Sequence, residues 1–399
     1  MPFKNIVIGV LREIMSGEKR VSVIPETARE FIKNGARVLV ETGAGEGAFI
    51  YDKDYIAAGA EIASGAEEVY SKGNVFLKVK EPLFNKSLDK HEAELFPRKS
   101  LLISFLHPAN NLNHEMVEIL AEREIISFTL DSVPRISRAQ KIDALTSMST
   151  VAGYKAVTFA ADNLGHFIPM MPTAFGIINP AQFLVIGTGV VGLQSVATAK
   201  RFGAKVKTLD IRPEANEQAR SLGVEVIPFD VPEKLAIGEG GYAQRLPDEW
   251  YEKERKVLAP HVENSDVIIL TALIPGHIAP TLIDESMVKK MKKGSVIIDV
   301  AVDQGGNCLL SSPGENQYYN GVLISSIANI PAKLALDSTW MFAKNIMHFV
   351  HYVVKDGNIN TDSNDEVVRE MLVTIDGKIV HKGTLEAMKK NDMSVKKPH

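Results

Sequence analysis

The stretch FLVIGTGVVGLQSVATAKRFGAKVKTLDIR, residues 183–212, decides how this chain folds. Phe183 to Ile186 is an unbroken apolar run, the pattern of a strand buried on both faces of a parallel sheet. Gly187, Gly189 and Gly192 follow as G-x-G-x-x-G, and a helical pattern then runs to Phe202. Lys205 to Leu209 reads as a second strand that ends on Asp210. Each glycine has a task in such a unit. Gly187 permits the tight turn, Gly189 lets a diphosphate approach the backbone, and Gly192 lets helix and strand pack closely. The free N–H groups and positive dipole end of the helix favour the phosphates.

The glycine pattern alone is weak, since glycines punctuate many turns. Strand, turn, helix, second strand and terminal acid in that order make the dinucleotide reading strong. The bland alternative is a glycine-rich turn in some other α/β unit. Asp210 stands where a carboxylate accepts hydrogen bonds from the adenosine ribose. Its charge repels a 2′-phosphate, which argues for NAD over NADP. Arg212 weakens that preference, because an arginine two residues on suits the phosphate.

A chain of 399 residues is too long for one ordinary core, so two domains are expected. A net charge of -4 gives no electrostatic case for nucleic acid. The single cysteine, Cys308, excludes an internal disulfide framework, fits a reducing compartment and reads as a small filler. No apolar stretch approaches the roughly 20 residues of a membrane helix, and MPFKNIVIGV starts a strand rather than a signal peptide. No metal site is expected.

Outward from the glycine turn, strand and helix patterns alternate. Ile6–Ile8, Arg37–Glu41, Val75–Val79 and Leu101–Phe105 read as strands, and Pro25–Asn34 as a helix. Residues 224–227, 266–271 and 295–300 read as strands beyond the glycine unit, and residues 335–354 as a helix. VTIDGKIV, residues 373–380, reads as a hairpin on an Asp-Gly turn. The expected fold is α/β, with two Rossmann-like, doubly wound parallel sheets. Residues 1–135 and 330–399 form a discontinuous first domain, and the nucleotide domain, 136–329, is inserted into it. Met170 to Pro180 reads as irregular and proline-punctuated.

Several polar residues follow strand ends, where α/β sheets bind ligands. They are Lys80 after FLKV, His107 after LLISF and Asp303 in DVAVDQGGN, with Arg20 in the loop after the first strand. Together they offer two cations for a carboxylate, an imidazole for proton transfer and an acid. Singly, each reads as a solvated charge or a hydrogen-bonded loop histidine. In SVPRISRAQKIDALTS, Arg135, Gln140 and Asp143 are spaced by five and three; a helix after Ser137 puts Gln140 and Asp143 on one face. The plain reading there is a helix start capped by Ser137. AIGEGGYAQR, with Gly241 and Tyr242, is a mobile-flap candidate or a floppy insertion.

These stretches resemble the alanine dehydrogenase and nicotinamide-nucleotide transhydrogenase family over nearly the whole chain. The matching runs are PRISRAQKIDALTS, VIGTGVVGLQ, DIRPE, GGYAQ, TALIPG, GSVIIDVAVDQGGNC and VTIDGKIVHKG. Within the family the chain looks most like the NAD(H)-binding component of proton-translocating transhydrogenases. That resemblance implies hydride transfer from NADH here to NADP+ at an NADP(H) site on a partner subunit, with membrane-spanning and NADP-binding partners and a homodimer. It implies a cytoplasmic protein, peripheral on the inner face of the plasma membrane, with Met170–Pro180 as an exchange arm between subunits. Arg135, Gln140 and Asp143 fall on the nicotinamide-side loop, with Thr146 nearby. Val190 lies in the glycine turn, and Asp210 with Arg212 matches the adenosine-ribose contacts. Gly241 and Tyr242 match a loop that closes over NAD(H), and Thr271, Ala272 and Leu273 match contacts in TALIPG. The alanine dehydrogenase branch binds a 2-oxo acid through an arginine, a lysine, a histidine and an aspartate; Arg20, Lys80, His107 and Asp303 stand at the matching places. A freestanding alanine dehydrogenase is therefore the alternative reading, with His107 as acid and base. A non-catalytic NAD sensor is a third.

Overall fold

The computed structural model describes residues 2–238, 243–274 and 278–395. The chain divides into two compact units, residues 1–148 with 332–399, and residues 149–331. The helix Ala144–Asn163 carries the chain across the first division.

The second unit is built on the strand that opens the glycine segment. Gln182–Ile186 is the third strand of a seven-stranded sheet. To one side lie Lys205–Leu209 and Glu225–Val226; to the other lie Val267–Leu270, Val296–Asp299, Val322–Ser325 and Asn316–Tyr319. All pairings are parallel except the last. Counting strands along this unit, the order is 3-2-1-4-5-6 with one antiparallel strand added, the doubly wound order whose reversal point lies beside strand 1. The apolar runs explain the burial. VIIL, VIID and VLIS are buried at every position, because helices cover both sheet faces. Phe183 and Val185 pack with Ala156, Ala160 and Val196 on one face. Leu184 and Ile186 pack with Leu209, Leu258 and Val288 on the other. This alternation is the period of two that a strand imposes.

The first unit repeats the plan. Glu61–Ala63, Arg37–Glu41, Val7–Val10, Val75–Leu77, Leu101–Ser104 and Ile126–Thr129 pair in parallel in that spatial order, again 3-2-1-4-5-6. Leu372–Ile375 and Lys378–Ile379 extend this sheet as an antiparallel edge. Their connection has Asp376 at φ 49° and Gly377 at φ 75°, the left-handed pair that a tight Asp-Gly hairpin demands. Phe76, Tyr70 and Phe96 interlock with ring centroids 5.0–5.8 Å apart in the core.

Two expectations need correction. Met170–Pro180 is not irregular: Met171–Thr173 and Gly176–Ile178 form an antiparallel ribbon. Pro172 is tolerated there because a two-stranded ribbon has only edges. Ser137 does not cap the next element either; the 3-10 helix Ser137–Ile142 starts from Ile136 with no side-chain cap.

Candidate functional site

The glycine turn is built as its spacing requires. Gly187 has φ 86°, and its N–H donates to Leu209 O at 2.8 Å. A Cβ on Gly192 would lie 1.9 Å from Gly187 O, so only glycine lets the helix Val190–Arg201 approach its strand. Gly189 is open: its nearest neighbour to an added Cβ is Arg212 Nη2, at 4.0 Å. No side chain caps this helix, so its first-turn N–H groups are available to an anion. The buried Thr188 hydroxyl has no hydrogen-bond partner among the described residues. An open glycine, an uncapped helix start and an orphaned hydroxyl fit a dinucleotide diphosphate.

Asp210 is buried at the neighbouring strand end, and its carboxylate is fully engaged. It accepts from Thr188 N at 2.7 Å and from Arg212 N, Nε and Nη2 at 2.8, 3.0 and 2.8 Å. Arg212 thus forks onto Asp210 rather than standing free for a phosphate.

Across the reversal point, the Thr271 hydroxyl donates to Gly187 O at 2.8 Å and ties two strand ends together. Ala272 is fixed by Asn307, which accepts from Ala272 N and donates to Ala272 O and Pro280 O, each at 2.9 Å. Leu273 is half-buried in the same turn. Asn307 is in turn held by Asp299, whose carboxylate accepts from Ala301 N, Asn307 N, Cys308 N and the Ser311 hydroxyl at 2.7–3.0 Å. Burial raises the Asp299 pKa, and those four donors oppose the rise. Asp299 and Asn307 were not singled out from sequence; the acid at the end of VIID, a strand terminus, was the available signal. Gly241 and Tyr242 lie outside the described residues.

In the first unit, Arg135 and Gln140 are exposed. Gln140 and Asp143 are three residues apart on a 3-10 turn, which eclipses them. The Gln140 side chain makes no hydrogen bond to a described residue. Asp143 caps the helix Ala144–Asn163: Thr146 donates to it through its N–H at 2.8 Å and its hydroxyl at 2.6 Å.

The second set of candidates is divided between the units. Arg20, Lys80 and His107 lie in the first and Asp303, exposed, in the second. Arg20 is buried and forks onto Glu18 at 2.8 and 2.6 Å. His107 Nδ1 sits 2.7 Å from Asp131 Oδ1, and its ring lies flat on Phe105 at 5.9 Å. Burial works to lower the His107 pKa, but the Asp131 charge and hydrogen bond outweigh it, so the net direction is up. Asp131 also takes the His107 N–H at 2.7 Å, which holds the residue at φ 45°. Lys80 is half-buried, and its charge acts on the His107 ring.

Under Lys80 lies a buried trio that sequence reasoning missed. Lys78, fully buried, reaches Glu92 at 3.0 Å and Glu13 at 3.4 Å. Glu13 accepts from Val79 N at 2.6 Å and Lys80 N at 3.4 Å, while Glu92 accepts from Leu83 N at 2.9 Å. The three side chains fasten the backbone that carries Lys80. Burial pushes the Glu13 carboxyl up to about 7 despite Lys78.

Residues 9–152 match the alanine dehydrogenase/PNT N-terminal domain, and residues 156–382 match the C-terminal domain. The chain belongs to the alanine dehydrogenase/PNT family. It is 42% identical to a component of the NAD(P) transhydrogenase alpha subunit of Rhodospirillum rubrum, over 94% of this chain and 97% of that one. The solved transhydrogenase from Sinorhizobium meliloti superposes with a TM-score of 0.79 at 32% identity, covering 94% of this chain and 99% of that one. Alanine dehydrogenase of Methanococcus maripaludis is more distant, at 29% identity over 96% of each. This alanine dehydrogenase/PNT member is thus an oxidoreductase-family chain with the NAD-binding architecture of its relatives.

Proposed function

We propose that this chain is the NAD(H)-binding component of a proton-translocating NAD(P) transhydrogenase. The observation that carries the reading is the open, uncapped glycine turn beside Asp210, within a near full-length likeness of 42% to a transhydrogenase subunit. NADH, when bound, supplies the hydride. The glycine turn binds the diphosphate, and Asp210 with Arg212 serves the ribose. Thr271, Ala272 and Leu273 form a rigid wall, held by Asn307. Arg135, Gln140 and Asp143, with Thr146, orient the nicotinamide end, and the Gly241–Tyr242 segment excludes water. No residue acts as acid or base in this reading, so orientation supplies the rate. NADP(H) and the proton path belong to partner subunits. No described helix is long and apolar enough to cross a membrane, so attachment at the inner face of the plasma membrane runs through those partners. The test mixes the purified chain with an NADP-binding partner component and follows hydride exchange from NADH to a chromogenic NADP+ analogue. No exchange with a partner competent for its own nucleotide refutes the proposal.

The His107–Asp131 pair, with Lys80 beside it, favours a second reading, alanine dehydrogenase. Asp303 would then orient the substrate and Arg20 would help to hold its carboxylate. NADH production from NAD+ and L-alanine, abolished in His107→Ala, would establish it.

We also propose a homodimer. The ribbon around Gly176 exposes Phe175 completely and Ile177 by 66%. In the same unit, Ala161, His166, Phe167, Ile168, Pro169 and Phe202 line an open cavity. Phe175→Asp should convert a dimer to monomer by light scattering; a monomeric wild-type chain sinks the idea.

A further inference from the structure

We infer that Asn345 is a positioning residue for hydride transfer: its amide holds the turn carrying Gln140 and Asp143 in the geometry that orients the nicotinamide. The inference deepens the transhydrogenase reading and rests on it.

The turn supports itself poorly. Ser137–Ile142 is a 3-10 helix with no side-chain cap at its start, and hydrogen bonds in such helices are weaker than in α-helices. Ala139 and Ile142 are buried, whereas Gln140 is exposed and takes its place from the backbone beneath it. That backbone is fixed from outside. The helix Ala335–Val353 runs alongside, and Asn345 Nδ2 donates to Lys141 O at 2.9 Å. Lys141 lies between Gln140 and Asp143, near the end of the 3-10 helix, where carbonyls need an outside donor. Two turns beyond Asn345, Tyr352 lies on the same face of its helix. Its hydroxyl donates to Asp365 Oδ2 at 2.6 Å, and Arg138 Nη2 reaches Asp365 Oδ1 at 3.4 Å. Asp365 is itself held as the cap of Glu366–Met371, accepting from Val367 N at 3.0 Å. The turn is therefore tethered on both sides of Gln140. The Arg138 tether is long and exposed, hence weak. The Asn345 tether is short, and its side chain is buried.

Packing alone does not account for Asn345. Its Oδ1 is buried with no hydrogen-bond partner among the described residues, which destabilises the fold. A leucine of similar volume would fill the site without that cost. What leucine lacks is the N–H aimed at Lys141 O. Without it, the peptide unit between Gln140 and Asp143 is free to turn, and reaction geometry tolerates little: a displacement of about 1 Å slows a reaction on the order of 100-fold.

The test compares wild type, Asn345→Leu and Asn345→Asp; both variants lack the amide donor. Three quantities are followed: amide hydrogen exchange over residues 137–143 in the unliganded chain, NADH affinity by fluorescence titration, and the rate of hydride transfer. That rate is read at saturating NADH with the NADP-binding partner component and a chromogenic NADP+ analogue. Both variants should exchange the amides of 137–143 roughly tenfold faster than wild type. They should hold NADH affinity within about threefold, because the diphosphate turn lies in the second unit. Hydride transfer should fall by roughly 10- to 100-fold. The Tm of Asn345→Leu should stay within about 3 °C of wild type. Unchanged hydride transfer or unchanged amide exchange in Asn345→Leu overturns the inference alone. So does a rate loss matched by an equal loss of NADH affinity, or a leucine variant that fails to fold, since the asparagine would then be structural. A wild type that transfers no hydride with a competent partner overturns the transhydrogenase reading and this inference together.

Discussion

Replacing Gly192 by alanine tests the glycine turn most directly. The new Cβ would stand 1.9 Å from Gly187 O, 2.9 Å from Gly187 C and 3.2 Å from Thr271 Oγ1. An ordinary carbon–oxygen contact needs about 3.3 Å, so the helix start must retreat by roughly 1.4 Å. Gly187 O cannot yield instead, because Thr271 Oγ1 donates to it at 2.8 Å. Overpacking of this kind costs about 1–3 kcal/mol, and a strained or lost Thr271 bond adds about 1. The same displacement moves the first-turn N–H groups about 1 Å from the diphosphate, enough to weaken NADH binding on the order of 100-fold. Gly189→Ala supplies the contrast. Its φ of −70° suits alanine, and its Cβ meets nothing nearer than 4.0 Å. It should leave stability within about 0.5 kcal/mol while its methyl blocks the phosphate. Thermal unfolding and NADH fluorescence titration on both variants give the readout. A Gly192→Ala protein with wild-type Tm and wild-type NADH affinity would falsify the close-packing argument. Equal losses of stability in both variants would show that the two glycines do not have separate tasks.

Three further outcomes are expected. Lys78→Met leaves Glu13 and Glu92 buried together without their cation; urea unfolding should show a loss of about 3–5 kcal/mol, and a loss below 1 would mean the trio is not structural. His107 has a raised folded pKa and Asp131 a lowered one, so their attraction is present between those two values. The His107 contribution is complete below its ordinary pKa near 6.5 and disappears as pH rises through the raised value. The Tm gap between wild type and His107→Gln should therefore be wide at pH 6 and closed at high pH; a gap independent of pH contradicts the pairing. Asp143→Ala removes the cap on Ala144–Asn163 and should cost about 1 kcal/mol, whereas Asp143→Asn still caps and should cost little. Equal hydride-exchange rates in wild type and Asp143→Asn would confine Asp143 to capping.

Much of the fold was legible in the chain because its signals are local. A parallel strand buried on both faces must be apolar throughout, as VIIL and VIID are. The glycine spacing announces its turn, and Asp376–Gly377 announces its hairpin. The ribbon around Gly176 was hidden by its prolines, which normally speak against strands and are harmless only at an edge. The candidate site was half legible. Residues at strand ends could be named from pattern, but their partners could not. Asp131 lies 24 residues from His107, and Glu13 lies 65 residues before Lys78. Nothing in the local pattern connects either pair.

By itself the sequence determined strand and helix periodicity, the position of the diphosphate turn and the identity of the acid beyond it, because these depend on neighbours a few residues apart. Only the tertiary structure decided which side chains are spent and which remain free. It showed Arg212 forked onto Asp210 and Asn307 bracing Ala272. Hydrogen-bond saturation depends on which distant segments the sheet order brings together and on how much water their packing removes, and neither quantity is written in any one stretch of chain.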